Sequence, residues 1–250
     1  MLFNIVASGS KGNATLLKYK DSTLLIDMGI TLERLNEGLE EIGLSFNDID
    51  GAIFTHDHAD HYKGLKCLSP RKCYALEGTL PGNLSHVVYL NTPFNIKDFT
   101  IIPFITSHDA KNPCGYKIMA GDESMVYMTD TGIFMEETLS LIKNPTYLVI
   151  ESNHDIKMLL HTNRPHELKE RIMSDHGHLC NEDSAIAACS IIGPDTKEVI
   201  LAHLSEEANT PELALDAYKR VFAHFQINMN NFTLRCAHQW HSTIGGHYED

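Results

Sequence analysis

The sequence predicts an α+β fold in which two sheets stack face to face with helices outside. Three observations carry this. Both halves of the 250-residue chain run through strands and then helices. Short apolar runs such as Tyr147–Ile150 and Val199–Ala202 read as buried strands, while other strands have mixed faces that suit a sheet with a helix layer on one side. No linker, low-complexity tract or solenoid-length repeat divides the chain, which is long enough to bury a large core as one domain over 1–250, with 238–250 as a surface tail.

In order, Leu2–Ala7, Ala14–Lys18 and Thr23–Ile26 read as strands joined by polar turns. Leu32, Leu35, Leu39 and Ile42 fall at helical spacing and predict a helix over 31–42. Ser45 and Asp48 cap a short turn before the apolar strand 51–55. Strands follow at 87–90, 99–105, 115–119 and 125–129. A helix is expected over 134–142, then a strand over 147–150, helical stretches over 155–175 and 182–192, and a strand over 199–202. Thr210-Pro211 starts a helix that runs to Phe225, because proline suits the first helical position. Phe232–Cys236 reads as the last strand.

Composition bounds the partners. Hydrophobic content of 43% and charged content of 21% are ordinary for a globular protein. The N-terminus has no signal-peptide pattern and no window is apolar enough to span a membrane, so a soluble cytoplasmic protein is expected. The six cysteines form no CxxC pair and are expected to be reduced. A net charge of −13 argues against broad electrostatic attraction to nucleic acid or an anionic membrane. Two bound divalent cations would reverse that balance locally.

The chemistry concentrates at Thr55-His-Asp-His-Ala-Asp-His61, where an apolar strand opens into a loop. His56, His58, Asp60 and His61 are good ligands for a borderline divalent metal, and they can serve two neighbouring ions, His56 and His58 on one, Asp60 and His61 on the other. Each ion then needs about one more ligand, and the pair needs a bridge. His108, Asp130 and His203 each follow a predicted strand and fill those three vacancies. Zn is the first choice for this nitrogen-rich set, with Mn or Fe as alternatives. The loop Ser8-Gly-Ser-Lys-Gly-Asn13 can turn backbone amides toward an anion, with Ser10 and Asn13 as side-chain donors to substrate. It is not a P-loop, since no helix follows. Near the C-terminus, His238, His241 and His247 accompany the single tryptophan, Trp240, which could stack on a base.

The HxHxDH run with an ordered His, Asp and His downstream resembles the metallo-β-lactamase superfamily, over nearly the whole chain. The resemblance implies an αββα four-layer sandwich. It assigns one metal to His56, His58 and His108, the other to Asp60, His61 and His203, and makes Asp130 the bridge. Asp27, ending Leu-Leu-Ile-Asp, matches the first motif and would orient the metal loop. Ser8–Asn13, Ser107-His-Asp-Ala110, Glu151-Ser-Asn-His-Asp155, Gly177-His-Leu-Cys-Asn181 and the stretch from His203 to Leu213 resemble the YycJ-like (WalJ) branch. That branch carries Ser where this chain has Cys180 and usually Asn where it has Ala208.

The branch implies a dinuclear phosphodiesterase, a nuclease trimming DNA from the 5′ end. Two metals would acidify a shared water, and the resulting metal-bound hydroxide, positioned by Asp60, would attack phosphorus. His178 and His154 match branch motifs and are the candidates to protonate the leaving oxygen. The alternative is a hydrolase of a small thioester, lactone or cyclic nucleotide, of the glyoxalase II type, using the same ligands. A metal-binding protein without activity is the non-enzymatic reading, and a complete ligand set argues against it.

Overall fold

In the computed structural model, residues 1–82 and 86–247 are described. The strands are β1 (Leu2–Ala7), β2 (Ala14–Tyr19), β3 (Ser22–Ile26), β4 (Gly51–Phe54), β5 (Cys73–Ala75), β6 (His86–Val87), β7 (Phe94–Ile96), β8 (Phe99–Ile105), β9 (Cys114–Ala120), β10 (Glu123–Met128), β11 (Tyr147–Glu151), β12 (Glu198–Ala202), β13 (Thr233–Cys236) and β14 (Thr243–Gly246). The helices are α1 (Leu32–Glu40), α2 (Ala59–Tyr62), α3 (Leu139–Ile142), α4 (Ile156–His161), α5 (His166–Met173), α6 (Asn181–Ile191) and α7 (Pro211–His224).

These strands form two seven-stranded sheets among the described residues, ordered β14-β1-β2-β3-β4-β5-β6 and β13-β12-β11-β10-β9-β8-β7. Each sheet is antiparallel at one end and parallel at the other: β14-β1-β2-β3 and β7-β8-β9-β10 pair antiparallel, then β3-β4-β5-β6 and β10-β11-β12-β13 pair parallel. The parallel strands point their C-terminal ends the same way, so the loops that follow them gather at one edge.

Alternation builds the layers. Phe3 and Ile5 of β1 join Tyr147 and Val149 of β11 and Ile200 of β12 in the core between the sheets. Leu2 and Val6 of β1 turn outward and pack with Leu35 and Leu39 of α1. Leu148, Ile150, Val199 and Leu201 turn outward on the second sheet, against Ala185 and Ala188 of α6 and Tyr218 and Phe222 of α7. Strands buried on both faces must be apolar throughout, which is why these runs carry so little polarity. The expected αββα sandwich is the fold observed. One hydroxyl crosses the inner layer: Tyr116 Oη on β9 donates to the Phe54 carbonyl at the end of β4, at 2.6 Å.

Helix ends follow local chemistry. Thr31 caps α1 by accepting from the Arg34 amide, and Thr210 caps α7 by accepting from the Leu213 amide, with Pro211 in the first turn. The stretch 155–175 is not one helix; it breaks into α4 and α5 between Thr162 and Pro165, whose backbones are both extended, with ψ of 162° and 148°, and Pro165 has no amide proton to continue a helix. The region 134–142 is a 3-10 turn followed by the single turn of α3. The strand expected over 87–90 is shorter and shifted to β6, and β5, β7 and β14 were not anticipated. The C-terminal tail reading is corrected for 243–246, which pair with β1 from Thr243↔Ile5 to Gly246↔Leu2. Residues 248–250 of that tail lie outside the described residues. Among the described residues no helix is long and apolar enough to cross a membrane.

Candidate metal centre

The edge where parallel strands end carries the polar residues. Asp27 follows β3, His56–His61 follow β4, His108 follows β8, Asp130 follows β10 and His203 follows β12. Asp27, Asp130 and His203 all have left-handed backbones, with φ of 59°, 54° and 53°. For a residue with a Cβ this costs about 1–2 kcal/mol, so the surrounding structure must hold the turn. The turn swings each side chain from the strand line into one shared cleft. A close backbone approach completes the floor: a Cβ on Gly29 would lie 1.5 Å from the Asp60 carbonyl oxygen, so only glycine fits there.

Each imidazole has one nitrogen engaged by the protein. His61 Nδ1 donates to Asp27 Oδ2 at 2.8 Å, and Asp27 also accepts from the Thr55 amide and hydroxyl, each at 2.9 Å. His56 Nδ1 lies 3.0 Å from the Thr55 hydroxyl. His108 Nδ1 donates to the Gly177 carbonyl at 3.0 Å. His203 Nδ1 donates to Glu151 Oε1 at 3.0 Å. These bonds fix the tautomers and aim Nε2 of all four rings at the cleft. His58 instead brings Nδ1 to within 3.2 Å of His108 Nε2.

Asp130 sits among them. Its Oδ2 is 3.3 Å from His61 Nε2; its Oδ1 is 3.5 Å from His203 Nε2 and 3.8 Å from His108 Nε2. Ligand atoms of His56, His58 and His108 lie within 4.8 Å of one another, and so do those of Asp60, His61 and His203. His56 Nε2, His203 Nε2 and Asp130 Oδ2 are buried without a hydrogen-bond partner. Converging, orphaned donor atoms are costly to bury, and a divalent cation between them would satisfy all three. The donor set therefore fits divalent cations.

In the metal-free cleft the charge states divide: two rings are neutral, and two carry protons that a bound cation would displace. Burial, reinforced by His61, pushes His56 well below the ordinary imidazole range, and burial lowers His108, so both offer a neutral lone pair. Burial opposes charge on His61 and His203, but carboxylates outweigh it. Asp27 and Asp130 hold His61 well above its usual value; Asp130 and Glu151 hold His203 at about 9. Burial would raise Asp130, yet His203 and His61 hold it well below the carboxylate range.

A family model described as a β-lactamase superfamily domain matches residues 23–204. The chain belongs to the metallo-β-lactamase superfamily. The matched stretch contains Asp27 and all seven cleft residues from His56 to His203. Within the superfamily, the chain is 34% identical to exodeoxyribonuclease YycJ of Bacillus anthracis over 225 residues, 85% of each protein. It is 35% identical to exodeoxyribonuclease WalJ of Streptococcus pneumoniae over 227 residues, 85% of this chain and 84% of that one. Among solved structures, the metallo-β-lactamase fold protein YhfI of Bacillus subtilis superposes with a TM-score of 0.71 at 16% identity, covering 98% of this chain and 99% of that one.

The remaining sequence-predicted residues of this superfamily member divide sharply. Asn13 reaches the cleft: its Nδ2 is 3.0 Å from His61 Nε2 and 3.4 Å from Asp60 Oδ2. Ser10 is exposed on the same loop. His178 lies beside the cleft, its ring centroid 5.0 Å from that of His108 and 5.3 Å from that of His203, and its Nδ1 donates to Glu151 Oε1 at 2.7 Å. His154 does not join them. It is 1% exposed, pairs through its backbone with Cys180, and burial pushes it to about 4. Its burial sets it apart from His178, which is partly exposed beside the cleft.

Glu151 is the residue that sequence reasoning passed over. It is fully buried, and its Oε1 accepts from both His178 and His203 while Oε2 accepts from the amides of Thr131 and Leu179. Burial opposes its charge, but the His178 and His203 bonds hold it at about 2. The signal was available: a carboxylate ending the wholly apolar run Tyr147–Ile150, paired with Ala202 immediately before His203 on the neighbouring strand.

Proposed function

We propose that the chain is a dinuclear metal-dependent phosphodiesterase that removes nucleotides from the 5′ end of DNA. The observation that carries this is the orphaned, converging donor set in a chain more than a third identical, over most of its length, to WalJ, a protein named an exodeoxyribonuclease. His56, His58 and His108 would hold one cation, Asp60, His61 and His203 the other, and Asp130 would contact both. Zn suits this set first, then Mn or Fe. Bound divalent ions supply Lewis-acid charge and a more acidic water.

The chain's own residues do the positioning. Asp27 and Glu151 lock the rings of His61 and His203, so that little rearrangement is left for the reaction. Asp60, whose side chain is about a quarter exposed, has a carboxylate at the cleft that can orient the attacking water. The amide of Asn13 borders the same side and can donate to a phosphate oxygen. His178 keeps Nδ1 on Glu151, which leaves Nε2 to pass a proton to the leaving oxygen.

A panel of 5′- and 3′-labelled DNA and RNA, a cyclic nucleotide, a thioester and a lactone tests the proposal under defined metals. Stepwise loss from the 5′ end of DNA is expected, abolished by chelator. Turnover of the thioester or lactone with none of DNA would give the site to the glyoxalase II-type reading instead. Glu151→Gln should weaken metal affinity or slow turnover by about 10–100-fold, because the amide loses the charge that holds both rings and its nitrogen would face the Thr131 and Leu179 amides donor to donor. Competition with a chromophoric chelator measures the affinity; wild-type affinity and rate together would show that Glu151 only fills space.

A further inference from the structure

The surface beside the metal cleft is opposite in charge to the rest of the molecule. A groove of about 210 Å³ runs between the glycine loop and Trp240, lined by Lys11, Gly12, Ile30, Arg34, Lys63 and Trp240. Three cations and no carboxylate line it, on a chain with 33 acidic and 20 basic residues. Two of its lining residues neighbour the cleft along the chain: Gly12 precedes Asn13, whose amide touches His61, and Lys63 follows His61 by two residues. Gln239 Nε2 donates to the Gly12 carbonyl at 3.2 Å and ties the Trp240 segment to this wall.

The local bonds leave room for a ligand. Lys63 Nζ donates to the Lys11 carbonyl, which holds its charge at the groove edge. Arg34 donates to the Val6 carbonyl, the Ser242 hydroxyl and Glu37, at 3.0, 3.2 and 3.0 Å. Lys11 pairs with Glu206 at 2.6 Å and sits 5.0 Å from the Trp240 ring centre, while the indole nitrogen donates to Glu206 at 2.7 Å. Glu206 offsets Lys11 and Glu37 offsets Arg34, so the net positive charge comes from Lys63, whose ammonium is held by a neutral carbonyl. The indole is held at its edge by this bond, yet Trp240 remains 58% exposed. An aromatic plate fixed at its rim and open to solvent, next to two cations, is the pairing that binds a base and its phosphate.

We infer that this groove seats the nucleotide next to the scissile bond of an unpaired DNA strand, with its base on Trp240 and its phosphate near Lys63 and Arg34. The inference rests on the phosphodiesterase reading and adds the substrate form: in a duplex both base faces are already stacked, so the indole selects an unpaired end. It also explains how an acidic protein can hold a polyanion, through a local patch beside the centre rather than overall charge.

Trp240 is the only tryptophan, so its emission reports the groove directly. Metal-free full-length protein should show saturable quenching by an oligothymidylate of about eight nucleotides, a length within the range single-strand sites cover. Binding should weaken with salt, less steeply in Lys63→Gln. In metal-loaded protein, Trp240→Ala should raise KM for single-stranded DNA about tenfold, the effect of losing one base stack, with metal content unchanged and Trp240→Phe restoring much of the loss. Cleavage of DNA with no quenching and an unchanged KM in Trp240→Ala would overturn the groove and leave the nuclease reading intact. Quenching by the oligonucleotide in a protein that cleaves no DNA would uphold the groove and remove the nuclease reading.

Discussion

Asp130→Ala is expected to abolish turnover, by about three orders of magnitude or more, and to lower bound metal from about two ions per chain. Asp130 is the one carboxylate with its two oxygens facing both halves of the cleft, Oδ2 toward His61 and Oδ1 toward His203 and His108. Without it, two neighbouring cations lose the charge that separates them. The metal-free fold should survive, because the buried imidazoles that Asp130 holds in the charged form can shed their protons. Asp130→Asn keeps the volume and removes only the charge, so its loss of metal isolates the electrostatic part. Elemental analysis and a thermal melt on the same sample separate metal loss from misfolding. Full metal content with a normal rate in a folded variant would remove Asp130 from the centre.

His178→Ala should slow turnover by about 10²–10⁴-fold, the range for a lost general acid, while metal content stays intact. His178 is partly exposed at the cleft and is oriented by Glu151, so its removal leaves no buried void. The decisive measurement varies the leaving group. A nucleoside ester of p-nitrophenol needs no proton on its departing oxygen, so the variant's deficit should shrink sharply on that substrate. An equal deficit on both would mean that His178 only supports the metal site, through the carboxylate it shares with His203.

Much of this was legible in the sequence for a physical reason. Strands such as β11 and β12 are covered on both faces, so nearly every position is apolar and the run announces itself. The residues at their ends are legible by contrast: Asp130 and His203 are abrupt polar residues after apolar runs, and the heptapeptide Thr55–His61 is dense enough to stand alone. β5 and β7 were missed, and β6 was misplaced, because strands of two or three residues carry no period. β14 was missed because its strand character comes from pairing with β1 at the far end of the chain. Glu151 required three segments at once, β11, the loop with His178 and the end of β12. The burial of His154 is not written in the motif around it.

The hydroxyl of Tyr116 on the Phe54 carbonyl sets a spacing. The heptapeptide hangs from the first sheet, whereas His108, Asp130 and His203 hang from the second. The two halves of the cleft are therefore like the jaws of a calliper, and the inner layer of side chains is its gauge block. A change in that layer's thickness should move the jaws relative to one another, and a shift of about 1 Å is worth roughly 100-fold in rate. Residues of the inner core that lie outside the cleft, Tyr116 first among them, are thus under the same geometric tolerance as the side chains that line it.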